Sequence, residues 1–102
     1  MVKVFSLINR REDVSLDDFP TWILEAHEPK GRELPGLRRH HVSVVEADDP
    51  ASPYHPVTEL YFDDEDAFMA AFASDAGQTA GADVAAHAAG RVRLLMSEER
   101  II

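Results

Sequence analysis

His27, His40 and Glu59 are the side chains in this 102-residue sequence whose types and settings suit proton chemistry. His27 follows Ile23 by four residues, which puts it on the apolar stripe of a helix built from Phe19, Ile23 and Ala26-His27. An imidazole titrates near neutral pH, so one held at an apolar face can take a proton from an activated carbon or hand one to a leaving hydroxyl. The competing role is a half-buried histidine binding a carbonyl at a helix C-terminus, where positive charge is also welcome. His40 and His41 are neighbours in an extended run, so they point to opposite faces and are poorly placed to share a metal. His40 goes with Val42 and Val44; if that face looks toward the helices, His40 meets His27 across a pocket. The alternative is a polar edge strand with both imidazoles in water. Glu59 falls in a central strand, where a carboxylate is costly without a partner. It either pairs with an arginine of a second copy or works as an acid/base with a raised pKa. Tyr61 shares its face, and His87, on a later helix, reads as packing or pocket lining.

Other chemistries lack their residues. There are no cysteines, which removes disulfides, thiolate metal sites and cysteine nucleophiles. His27-Glu28-Pro29-Lys30-Gly31 begins like a zincin helix but has no second histidine four residues on, and Pro29 breaks the helix such a site needs. No glycine-rich phosphate loop, nucleotide fingerprint or serine elbow is present. No cofactor and no metal is therefore expected, and the chemistry falls to bare side chains around a shaped, apolar cavity.

The elements that must position these residues follow from periodicity. Residues 3–9 are apolar on both alternating sets, as in a central strand covered on each side. Ser15 offers an N-cap, with Asp17 and Asp18 in the first turn where the helix dipole favours acid. Pro20 is tolerable only if that helix starts near Asp18, and Pro29, Gly31 and Pro35-Gly36 end it. Residues 37–46 and 57–62 read as strands, with a loop over 48–53 between them. Asp63 or Asp64 caps a helix bearing Phe68, Ala71 and Phe72. Ser74-Asp75 restarts helix to about Ala89, with a stripe of Ala80, Val84, His87 and Ala88. Gly77 and Gly81 each cost roughly 1 kcal/mol in a helix interior, which predicts the least rigid segment there. Residues 91–98 alternate Val92, Leu94 and Met96 against polar partners, the pattern of a half-buried strand.

The order β-α-β-β-α(α)-β, with right-handed crossovers, gives an α+β, ferredoxin-like βαββαβ domain: a four-stranded antiparallel sheet with its helices on one face. Residues 1–102 fit a single domain of this size. The other face is left bare, and pairing with a second copy would cover its apolar side chains, so a homodimer is expected. The chain has 19 acidic residues against 10 Lys and Arg, a formal net charge of -9 that repels phosphate backbones and argues against nucleic acid. No run approaches a membrane span or a secretory leader, so a cytoplasmic location is expected.

The segments Phe19-x-x-Trp22-x-x-Glu25-x-His27-x-Pro29 and Leu34-Pro35-Gly36-Leu37-Arg38-Arg39 resemble the EthD-type family of dimeric α/β-barrel proteins. So do Glu59-Leu60-Tyr61-Phe62-Asp63 and Ser74-Asp75-Ala76-Gly77-Gln78. The resemblance covers nearly the whole chain and implies the ferredoxin-like dimer. It also implies cofactor-independent chemistry on a small hydrophobic or aromatic oxygenated compound: isomerisation, dehydration or a lyase step. His27 would act as acid/base, His40 or Glu59 would assist, and Trp22, Tyr61 and His87 would contact the ligand. Relatives carry an aromatic and a nearby aspartate late in the last helix. Here His87 stands near the aromatic's place, and no later aspartate matches. A ligand-binding dimer without catalysis and a cofactor-free monooxygenase are the alternative functions.

Overall fold

The computed structural model describes residues 1–15, 18–44 and 54–102. In chain order these form β1 (Val2–Asn9), α1 (Asp18–Trp22), a π-helical turn (Ile23–His27), α2 (Glu28–Gly31), β2 (Arg39–Ser43), β3 (Tyr54–Phe62), α3 (Glu65–Ala73), α4 (Asp75–His87) and β4 (Gly90–Ser97). The strands make one antiparallel sheet in the order β2-β3-β1-β4. The 48–53 loop, the far end of the second strand and Asp17 lie outside the described residues. No helix among the described residues is long and apolar enough to cross a membrane.

Local chemistry sets the element ends. The Ser15 hydroxyl accepts from the Asp18 backbone N–H at 2.9 Å, so the first helix starts at Asp18 and Pro20 sits in its first turn. Asp64 caps α3 by accepting from the Ala67 N–H at 2.8 Å. Ser74 caps α4 by accepting from the Gly77 N–H at 3.1 Å. At the Pro35-Gly36 turn Gly36 has φ 74°, a conformation that suits glycine.

Pro29 does not end the first helix as the sequence suggests; the helical path runs on to Gly31. Proline has no N–H and its ring crowds the carbonyl four residues back. The chain meets both demands with the wider π turn just before it, in which the Glu28 N–H reaches the Ile23 carbonyl.

The pleat sorts β1 into two sets. Val4, Ser6 and Ile8 are buried beneath the helices, while Phe5 and Leu7 are half-buried on the open face. Register carries the same division across the sheet. His40, Leu60, Val4 and Leu95 form one row on the helical face, and Val42, Thr58, Ser6 and Arg93 the next. On the open face the rows are Arg39, Tyr61, Lys3 and Met96, then His41, Glu59, Phe5 and Leu94, then Ser43, Val57, Leu7 and Val92. The expected alternation of β4 is present, but its apolar set lies on the open face, with Val92 41% and Leu94 44% exposed. Arg91 and Arg93 turn toward the helices instead.

Two apolar clusters join the layers. One packs Val4, Leu34, Leu60, Phe62 and Ala71 beside Phe68 and Phe72; the other packs Ile8, Phe19, Ile23 and Val84 beside Trp22 and Val42. Between them runs a polar seam, and the cavity lies along it.

Candidate active site

The cavity has a volume of about 30 Å³ and is bounded by both core clusters. Its polar lining comes from Ser6, His27, His40, Thr58, Arg91 and Arg93. Of the side chains singled out in the sequence, the structure therefore brings His27 and His40 together. His40 does share the helix-facing side of β2 with Val42.

His27 ends the π turn, an element that recurs at functional sites because it re-aims one side chain without breaking the helix. Its Nδ1 lies 2.7 Å from Asp83 Oδ2 on α4, with both side chains largely buried (14% and 8% exposed). A carboxylate only accepts, so Nδ1 carries the hydrogen and Nε2 is the nitrogen left to exchange a proton. Burial pushes the His27 pKa below the ordinary imidazole value; the Asp83 hydrogen bond and charge oppose the shift without cancelling it, and Lys30 and Arg91 add to it. His27 is thus a neutral, oriented base at neutral pH.

Asp83 also holds His87, whose Nδ1 is 3.1 Å from Oδ1 and 2.9 Å from the Asp83 carbonyl, and Lys30 Nζ is 3.7 Å from Oδ2. The Trp22 ring stacks against both imidazoles, 5.0 Å from each centroid. Trp22 and His87 were expected to touch the ligand, but neither lines the cavity. They back His27 and fix its ring from behind, because α4 places Asp83 and His87 one helical turn apart on the side facing Trp22.

His40 stands across the cavity, its ring against Gly31, where a Cβ would come within 2.9 Å of Cε1. Its Nδ1 is buried with no hydrogen-bond partner, and burial lowers its pKa too. Thr58 Oγ1 and Arg93 Nε are likewise buried and unpartnered. The Arg93 guanidinium lies 4.1 Å from the Phe72 ring centroid; burial first, then the charge of Arg91, pushes its pKa down to about 10, so it stays charged at neutral pH.

Glu59 and Tyr61 sit on the other side of the sheet. Pleat parity explains this: β3 turns Thr58, Leu60 and Phe62 to the helices and Val57, Glu59 and Tyr61 away. Glu59 lies 3.7 Å from both Lys3 Nζ and His41 Nδ1 and accepts from the Tyr61 hydroxyl at 3.4 Å. In one chain it cannot assist His27. Sequence reasoning missed Asp83, Arg91 and Arg93. Arg91 and Arg93 alternate with Val92 and Leu94, a signal read with the apolar side turned inward. Asp83 stands one turn before His87 on the stripe already noticed.

Fold and site together define a ferredoxin-like α+β protein with a cavity between sheet and helices, furnished by histidine and arginine. Residues 11–90 match the EthD domain, and the chain belongs to the EthD family. It is 35% identical over 78 residues to the "Uncharacterized 11.0 kDa protein in thcB-thcC intergenic region" of Rhodococcus erythropolis, over 74% of this chain and 75% of that one. Its structure is similar to that of an EthD family protein from Bacillus halodurans. That match has TM-score 0.83 and 27% identity and covers 97% of this chain and 99% of the other. A dimeric ferredoxin-like protein of unknown function from Thermobifida fusca matches at TM-score 0.75 and 18% identity, over 95% and 90% of the two chains. SnoaB, a cofactor-independent oxygenase from Streptomyces nogalater, matches at TM-score 0.69 and 15% identity, over 99% and 95%. The last two likenesses show the fold alone.

Proposed function

We propose that this EthD-family protein is a cofactor-independent enzyme that moves a proton on a small oxygenated compound held between sheet and helices. The observation that carries the reading is the His27–Asp83 pair: an imidazole kept neutral by burial and aimed by a carboxylate, at the wall of a cavity. In an isomerisation, His27 Nε2 takes a proton from a carbon made acidic by a neighbouring carbonyl and returns it at another carbon of the same molecule. In a dehydration, the same proton goes to the departing hydroxyl, which leaves as water. His40, opposite, offers its unpartnered Nδ1 to the oxygen where charge gathers. The cavity admits a head group of a few heavy atoms, and the remainder of a larger ligand lies along its opening.

A panel of compounds tests this without the substrate being identified. Small enolisable acids, ketones and lactones are incubated with the protein in D2O, and solvent deuterium entering carbon positions is followed by NMR. Exchange is expected with at least one compound, and His27→Ala should slow it by about 100-fold or more. Exchange at the wild-type rate in His27→Ala refutes the assignment. Compounds that bind tightly yet never exchange identify a binding protein instead.

A further inference from the structure

We infer that Arg91 and Arg93 form a carboxylate-binding subsite on the floor of the cavity, so that the ligand is a small organic anion. The inference takes from the proposed function only that this cavity receives the ligand. Both arginines project from β4 to the helix-facing side and line the cavity. Their counter-charges are absent from their surroundings: among the described residues, neither forms an ion pair or hydrogen bond with a carboxylate. Elsewhere carboxylates are taken up readily, Arg11 by Asp13 at 2.9 Å, Arg32 by Glu28 at 2.8 Å and Arg38 by Asp63 at 2.9 Å. In a chain with 19 acidic residues and 10 basic ones, two neighbouring arginines without a partner are not explained by scarcity of acid.

Two like charges beside each other repel, and Arg93, half-buried against Phe72, is also poorly solvated. A carboxylate between them relieves both costs. Guanidinium groups suit that ligand because their fork of N–H donors matches two oxygens at once. The neighbouring groups fit the same occupant. Arg93 Nε and the Thr58 hydroxyl, buried and unpartnered, supply further donors on a single row of the helix-facing side, with Ser6 between them. The Phe72 ring, 4.1 Å from the Arg93 guanidinium, holds it in place without neutralising it. His27 shares the cavity, which puts the carbon next to a bound carboxylate within the region its Nε2 serves.

The experiment reads binding without turnover. Acetate and benzoate, with acetamide and benzamide as neutral isosteres, are titrated into the full chain while the Arg Nε–Hε resonances are followed by 1H–15N NMR. The acids should shift the Arg93 resonance saturably and the amides should not. Arg91→Gln and Arg93→Met should each weaken acid binding by about tenfold or more. Met keeps an apolar stem over Phe72; if that variant does not fold, Arg91→Gln decides alone. Acids that leave the Arg93 resonance unmoved, amides that shift it equally, or variants that bind acids as the wild type does overturn the subsite. The two readings fail separately. Deuterium exchange lost in His27→Ala without acid binding leaves the base and removes the subsite; acid binding with exchange untouched in His27→Ala does the reverse.

Discussion

At His27 three influences meet, and their signs set its behaviour. Burial disfavours the imidazolium, and the nearby cations Lys30 and Arg91 act in the same direction; the Asp83 hydrogen bond and charge favour it. Because burial prevails, the His27 signal should titrate below the ordinary imidazole midpoint of about 6.5. Asp83→Asn removes the influences that raise the pKa and leaves those that lower it, so the midpoint should fall further. Following Cε1–H shifts of the histidines against pH in both proteins checks this; an upward move in Asp83→Asn would show that Asp83 does not face a protonating His27. The imidazoles themselves were legible in the sequence: position on a helical stripe pointed to His27, and strand parity placed His40 with Val42. Asp83 was not, since nothing local links it to a residue 56 positions earlier; that pairing is made by the packing of α4 on the π turn.

The elements that carry these residues owe their spacing to two backbone devices. The π turn lets a proline follow His27 without a broken helix, and Gly77 lets α4 lie close on α3. A Cβ at Gly77 would press into the Ala71 carbonyl oxygen and the Phe72 backbone, which cannot swing aside as a side chain tip can. Gly77→Ala should therefore destabilise the fold by about 1–3 kcal/mol even though alanine is the better helix former. Gly81→Ala, whose Cβ would meet nothing within 4 Å, should stabilise it slightly. Urea unfolding of the two variants separates packing from propensity: equal effects would mean that Gly77 is an ordinary flexible residue. Strands, caps and the two later helices could be read locally because each depends on near neighbours: Ser15, Asp64 and Ser74 cap where the sequence places them. The π turn and the side of β4 that faces the helices could not. One depends on how a proline is accommodated in three dimensions, the other on which face of the sheet a distant helix covers.

Across the whole molecule, helices cover one sheet face and leave on the other a field of Phe5, Leu7, Val57, Val92, Leu94 and Met96 around the Lys3–Glu59–His41 group. Leu94 and Val92 are 44% and 41% exposed, and contiguous apolar area of this kind marks an association surface. We propose that two copies of this chain pair open face to open face. Glu59 then has a structural role: Lys3, which it shares with Glu98, offsets part of its charge before a partner sheet closes over it, which lowers the cost of burial. The two faces should respond differently to an added charge. Leu94→Glu puts an unpaired carboxylate at the centre of the covered area and should weaken pairing by about 100-fold or more. Met69→Glu, on an α3 position 60% exposed on the helical side, should leave it intact. Sedimentation across a concentration series reads the outcome directly: a wild type that stays a single chain, or a Leu94→Glu protein that pairs as the wild type does, places the dimer contact elsewhere and leaves Glu59 without an assigned task.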